Sequence, residues 1–212
     1  MAKQLSKSFL RTRPLDPLGL KASPATRADT TLAELPYRGL LNFRINADTH
    51  KAHVDFLSAT LSIKLPLTPN TAHQSDTARC LWLGPDEWLI VNSVETGDAM
   101  VRTLIAELGE DPEKVHYSAK DVSQNYQTIR LEGPHARAVL SKLTPLDIDS
   151  SVFTAGQCAQ TILAKSSVIL DVIDDEKNHP TFEITVRRSF AIYVWQRLAD
   201  AGLEYGLSIS SI

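Results

Sequence analysis

Residues Cys80–Val91 read CLWLGPDEWLIV, two apolar segments on either side of the turn Gly84–Glu87. Apolar segments of this length around a turn with an early proline predict a β-hairpin. Trp82 and Trp88 flank the turn, one on each strand. We expect at least one of these two side chains to be substantially buried, because large aromatic side chains dominate protein cores.

The residues around this hairpin predict further strands and helices. Leu40–Ile45 is typical of a strand, and Asp48 or Thr49 can cap a helix behind it. Residues 61–78 contain Pro66 and Pro69 and predict a loop with at most a short edge strand. After the hairpin, apolar positions at helical spacing predict a helix over Asp98–Leu108 that stops at Gly109.

The second half of the chain repeats this order of elements. The predicted elements are a strand at Tyr126–Leu131, a helix after Gly133-Pro134, strands at Cys158–Leu163, Val168–Ile173 and Thr181–Val186, and a helix capped by Ser189 that ends at Gly202. Both halves therefore follow the order strand, helix, strand, strand, helix.

This repetition predicts an α+β fold made from a duplicated strand-helix-strand-strand-helix module. The halves span about 38–118 and 121–205, and the link Ser118–Lys120 between them is too short to let them move far apart. We expect one domain over 35–212, with antiparallel or mixed sheets and helices on one face of each.

Residues 1–34 differ from the rest in charge and pattern. The first 28 residues carry six basic side chains and one acid, and the first 36 hold four of the 11 prolines. An organelle transit peptide is the minor alternative, because two prolines interrupt any helix there. We expect an extended basic arm that binds a partner, or a frayed end without a role, whose removal leaves the stability of the free chain unchanged.

Composition excludes several classes of protein. The 212 residues are 43% hydrophobic and 22% charged, which is typical of a globular protein. The net charge of −3 leaves no basic excess for nucleic acid, and no apolar run is long enough to cross a membrane. Cys80 and Cys158 each open an apolar run, which favours reduced, inert core thiols in a cytoplasmic protein over a disulfide between them.

Most candidate sites for chemistry have a simpler interpretation. None of the nine glycines lies two residues from another, which argues against a nucleotide or flavin cradle. His50 and His53 have the spacing of a metal-binding pair, but a solvated helix face is favoured because no further cluster follows. Asp86-Glu87 are interpreted as turn residues, and Asp171–Glu176 as an exposed hairpin end. We predict no catalytic residue, no metal site and no cofactor site in this chain.

One cluster remains as a candidate binding site. Arg187, Arg188 and Ser189 lie where the predicted strand 181–186 ends and the last helix begins. Two guanidinium groups beside backbone N–H groups are suited to holding a carboxylate or phosphate. The alternatives are an acidic side chain of a partner protein, or solvent alone.

Three strings give the chain a resemblance to a known family. They are Leu81–Val91 (LWLGPDEWLIV), Gly156–Thr161 (GQCAQT), and Val186–Phe190 (VRRSF) followed by Tyr193 and Trp195. Supporting strings are Leu35–Gly39 (LPYRG), Leu65–Thr71 (LPLTPNT), Asp121–Ser123 (DVS) and Gly133-Pro134. In this order, over about 35–205, the chain resembles the gamma subunit of heterotetrameric sarcosine oxidase.

The resemblance implies a fold similar to the folate-binding domain of the glycine-cleavage T protein. It also implies a complex with alpha, beta and delta subunits, which converts sarcosine to glycine and hydrogen peroxide and passes the one-carbon unit to tetrahydrofolate. FAD, FMN and NAD would belong to the alpha and beta subunits, and zinc to delta. This chain would then be a non-catalytic structural subunit.

A different class of function stays open at the level of sequence. The chain can instead be a stand-alone folate-binding or folate-dependent aminomethyltransferase-like protein. In that case Arg187 and Arg188 would hold the glutamate tail of the folate.

Overall fold

The computed structural model describes residues 13–22, 30–109, 115–176 and 179–211. The first part of the chain forms β1 (Thr30–Glu34), β2 (Gly39–Ile45), α1 (Lys51–Thr60), β3 (Ala72–Gln74), β4 (Ala78–Gly84), β5 (Glu87–Asn92), α2 (Gly97–Leu108) and β6 (Tyr117–Asp121). The second part forms β7 (Tyr126–Glu132), α3 (Ala136–Ser141), β8 (Cys158–Leu163), β9 (Ser166–Asp174), β10 (Thr181–Arg187), α4 (Ala191–Gly202) and β11 (Leu207–Ser211).

These strands form two sheets with related topology. The first sheet has the order β3-β4-β5-β2-β6, and the second has the order β8-β9-β10-β7-β1-β11. Each strand of the first sheet has a counterpart in the second. β3 corresponds to β8, β4 to β9, β5 to β10, β2 to β7 and β6 to β11. The duplicated α+β fold is therefore confirmed, and the one addition is β1, which lies between β7 and β11.

The two sheets pack against each other, and each carries its helices on its outer face. Alternation along each strand places one set of side chains towards the helices and the other towards the opposite sheet. The helix-side core of the first sheet includes Phe43, Trp88 and Met100, and that of the second includes Phe182 and Trp195. Between the sheets lies a smaller apolar cluster of Leu40, Ala72, Leu81, Leu89, Val91, Cys158 and Ile169.

The N-terminal region is not the independent arm that its composition predicts. β1 pairs antiparallel with β7 and parallel with β11, so residues 30–34 are integral to a sheet. Leu15 and Leu32 are fully buried in the same core, and the Leu15 backbone N–H donates to the Glu34 carboxylate. The prediction is wrong for these residues because β1 gains its pairing partners from distant parts of the chain. The rest of the predicted arm, 1–12 and 23–29, lies outside the described residues.

Other local predictions also need correction. The expected link Ser118–Lys120 is part of β6, which pairs with β2. Ser189 does not cap the last helix, because α4 begins at Ala191 with Phe190 in the cap position and no side-chain cap bond. The prediction for the tryptophans is confirmed, since Trp88 is fully buried and its indole N–H donates to the Pro66 carbonyl over 2.7 Å.

Candidate functional site

The predicted cluster lies at the end of the second sheet. Arg187 is the last residue of β10, and Arg188 and Ser189 belong to a single 3-10 turn that leads into α4. The Arg187 guanidinium carbon lies 6.0 Å from the centre of the Tyr126 ring, and its side chain reaches the surface. The Arg188 backbone N–H donates to the Asn125 carbonyl over 2.8 Å, which fixes this turn to the residues before β7.

These residues line an open groove of about 770 Å³, named here the arginine groove. Its walls come from three separate segments: Arg13, Pro14 and Pro17; Asn125; and Arg187, Arg188, Ser189 and Ile192. Tertiary structure thus adds Arg13 to the two arginines that the sequence places together. A groove with this lining is chemically suited to a carboxylate or another anion.

A second cleft adjoins the groove and opens between the two sheets. Its volume is about 410 Å³, and Leu83, Leu89, Ile162 and Ile169 are among its apolar lining residues. Arg187 lines this cleft as well as the groove. In the same cleft the Asn42 side-chain amide donates to the Glu87 carboxylate over 2.8 Å, so the predicted turn acid Glu87 also orders the lining of the cleft.

Buried charges at the other end of the sheet interface were missed by the sequence interpretation. Arg79 of β4 donates to both carboxylate oxygens of Asp171 in β9, over 2.5 and 2.6 Å. Asp171 is therefore buried between the sheets and does not belong to an exposed hairpin end. Burial raises the pKa of the Asp171 carboxyl, and the Arg79 guanidinium opposes this shift. The sequence signal for this buried acid is that Asp171 is the single charged residue within the apolar run Val168–Ile173.

A second buried acid holds two arginines. Glu183 of β10 accepts hydrogen bonds from Arg38 over 2.7 Å and from Arg130 over 2.8 Å. Burial raises the pKa of Glu183, but the two guanidinium groups outweigh it, so this pKa lies below its ordinary value. Because Arg38 precedes β2 and Glu183 lies in the other sheet, this pair joins the two halves of the molecule.

The two cysteines have the environment of inert core residues. Both are buried and free. Burial raises the pKa of the Cys80 thiol well above its ordinary value, and burial also raises the pKa of Cys158 to about 12. Since the thiolate is the nucleophilic form, neither side chain is poised for covalent chemistry at neutral pH.

The remaining sequence candidates lie on the surface. The His50 and His53 rings are 5.8 Å apart between centres, and His50 contacts Asn46 and Thr49. Among the residues that the structure describes, no group of three or more His, Cys, Asp or Glu side chains is placed to hold a metal ion. Asp86 pairs with Arg44 at the hairpin turn, over 3.1 Å.

No helix within the described ranges is long and apolar enough to span a membrane.

Comparison with known sequences gives relatives of two kinds. The sarcosine oxidase, gamma subunit family model matches residues 46–204. Sarcosine oxidase subunit gamma of Corynebacterium sp. strain U-96 is 30% identical over 187 residues, covering 87% of this chain and 84% of the relative. An aminomethyltransferase of Saccharopolyspora erythraea is 32% identical, but over only 59% of this chain and 32% of the relative.

Solved structures show the same two relationships. A chain of heterotetrameric sarcosine oxidase from Corynebacterium sp. U-96, in complex with pyrrole 2-carboxylate, superposes with a TM-score of 0.77 at 28% identity, covering 92% of this chain and 96% of that one. Aminomethyltransferase T of the glycine cleavage system from Bartonella henselae shares the fold, with a TM-score of 0.61 at 16% identity over 96% of this chain and 59% of that one. The family match covers most of the chain, and the chain belongs to the sarcosine oxidase gamma subunit family.

Proposed function

We propose that this chain is a non-catalytic structural subunit of a heterotetrameric sarcosine oxidase. The complex would oxidise sarcosine to glycine, release hydrogen peroxide and use tetrahydrofolate as one-carbon acceptor. The observation that carries this proposal is the superposition on one chain of such a heterotetramer, which covers nearly the whole of both chains.

The chemistry of the described residues supports a structural role. Both thiols are buried with raised pKa values, so covalent catalysis has no activated cysteine. The buried acids Asp171 and Glu183 are held in ion pairs by arginines, which ties them to the packing of the two sheets.

Cofactors and partners follow from membership in such a complex. We assign FAD, FMN, NAD and zinc to the alpha, beta and delta subunits, and we assign the folate to a partner as well. The sequence supports this division, because its nine glycines form no phosphate-binding loop. We place the complex in the cytoplasm, where free thiols such as Cys80 and Cys158 persist.

The stand-alone aminomethyltransferase alternative has weaker support. Its sequence match covers a third of the relative, and the structural likeness at 16% identity concerns the fold alone. No observation at the arginine groove favours folate over another carboxylate.

Purification of the tagged chain from its native host tests both functions. We expect mass spectrometry to find three further subunits, and sarcosine-dependent peroxide to come from the assembly and not from the free chain. The free chain should be colourless and should not bind tetrahydrofolate in calorimetry. Stoichiometric flavin absorbance, peroxide from the free chain, or folate binding without partners would contradict the proposal.

A further inference from the structure

We propose that the arginine groove is the docking site for an acidic segment of a partner subunit. This inference rests on the proposed function, since it names how the chain joins its complex. The segment would place one or more Asp or Glu side chains against Arg187 and its neighbours, with small apolar side chains beside them.

The charge of the groove is the first argument. Three of its lining residues are arginines, and none of the described residues that line it is a carboxylate. Asp16 and Glu34 lie on the Arg13 side, where Asp16 accepts from the Arg13 backbone N–H, so the positive charge that the groove presents is centred on Arg187. The whole chain carries a net charge of −3, which makes this positive surface a local feature rather than a general one.

The rigidity of the groove is the second argument. Arg13 is held near the sheet because Leu15, two residues later, is fully buried. Arg187 ends a strand, and the Arg188 backbone is hydrogen-bonded to Asn125. Side chains held on ordered segments lose less conformational freedom when a partner binds, which favours recognition at this surface.

Apolar residues in the groove favour a protein partner over a free anion. Pro14, Pro17 and the half-buried Ile192 line it beside the arginines. Phe190, next in the chain after Ser189, keeps 44% of its surface exposed. Arginines and aromatic side chains are the residue types enriched at protein interfaces, whereas a phosphate or chloride ion needs no apolar surface.

Charge reversal in the full chain tests the proposal. Two variants are made: Arg187→Glu, and Arg187→Glu combined with Arg13→Glu. Each is co-expressed with the partner subunits to test assembly. Each is also purified alone, and its affinity for the purified partners is measured at two salt concentrations. Lys51→Glu, at an exposed position on the first helix, makes the same change of charge outside the groove and is the matched control. We expect roughly tenfold weaker binding for Arg187→Glu, more for the double variant, and a flatter salt dependence.

Each outcome separates this inference from the proposed function. If the wild-type chain has no partners, the proposed function fails. If the wild-type chain assembles and the groove variants assemble equally well with unchanged salt dependence, only the docking site is overturned. Melting temperatures of the free variants show whether weaker binding comes from unfolding. If it does, Arg187→Gln, which removes the charge without reversing it, is tested in place of Arg187→Glu. A phosphate-dependent rise in the melting temperature of the free chain that Arg187→Glu abolishes would assign the groove to a small anion instead.

Discussion

The two halves of the molecule share one topology but differ beside β2 and β7. In the first sheet β6 lies next to β2 and forms the edge. In the second sheet β1 occupies the equivalent place beside β7, and β11 is displaced outward to pair with β1. The second half is thus completed by residues from the opposite end of the chain, whereas the first half is built from residues 39–121 alone.

This difference teaches how the N-terminal residues contribute to the fold. A strand that lies between two others has its backbone hydrogen bonds satisfied on both sides, and here it also buries Leu32 and Ala33. Leu15, two residues after Arg13, packs in the same core as Leu32, and its backbone N–H donates to Glu34 at the end of β1. The residues that complete the second sheet therefore also hold Arg13 at the arginine groove.

Removal of residues 1–34 should have the largest effect, and it should damage the second half most. The deletion removes β1 from the middle of a sheet and Leu15 from its core, so we expect a chain that aggregates or stays largely unfolded. Leu15→Ala is the milder version, with an expected loss of about 2–5 kcal/mol in the free energy of unfolding. In Leu15→Ala, hydrogen exchange should show that β7 loses protection before β5 does. An unchanged melting temperature after the deletion would restore the interpretation of these residues as an independent arm.

Truncation of Trp88 should destabilise the core of the first half, as loss of Leu15 destabilises that of the second. Its indole is fully buried between β5 and the helices, and its N–H is bonded to Pro66. Trp88→Ala should cost about 3–5 kcal/mol, measured by urea unfolding. Trp82, half-buried on the neighbouring strand, is the matched control, and Trp82→Ala should cost clearly less. Equal losses in the two variants would contradict the difference in burial between these two side chains.

Loss of the Glu183 charge should weaken the connection between the halves. Glu183→Gln leaves Arg38 and Arg130 without their shared carboxylate and should cost about 3 kcal/mol at neutral pH. Because the folded-state pKa of Glu183 is lowered, its stabilising contribution is present above the ordinary value of 4.5 and is lost as the pH falls through the lower folded value.

The melting temperatures of wild type and Glu183→Gln should therefore converge as the pH falls below 4.5. Glu95→Gln, at an exposed position, is the control. A difference that is constant from neutral to acidic pH would show that the loss comes from packing and not from charge.

Breakage of the surface pair at the hairpin turn should have the smallest effect. Arg44 and Asp86 are each half exposed, and solvent screens their attraction. Arg44→Gln should change the stability by no more than about 1 kcal/mol. A larger loss would mean that the turn of the first half depends on this ion pair.

The local elements were predictable because their signals are local. The hairpin at 80–91 carries its own turn, and the helix α2 carries its own periodicity and its stop at Gly109. β1, β6 and β11 were missed because such short strands have weak patterns of their own and are stabilised by partners elsewhere in the chain. The prediction that Ser189 caps the last helix is wrong because the chain enters α4 through a 3-10 turn that contains Ser189.

The sequence by itself determined the duplicated order of elements, the family and the arginine pair Arg187-Arg188. Each predicted element, each family string and the arginine pair is formed by residues that are neighbours in the chain. Only the tertiary structure decided that Arg13 joins this pair and that Asp171 and Glu183 face arginines across the sheets. The physical reason is that a charge inside an apolar strand is stable only beside an opposite charge, and that partner is chosen by how the two sheets pack.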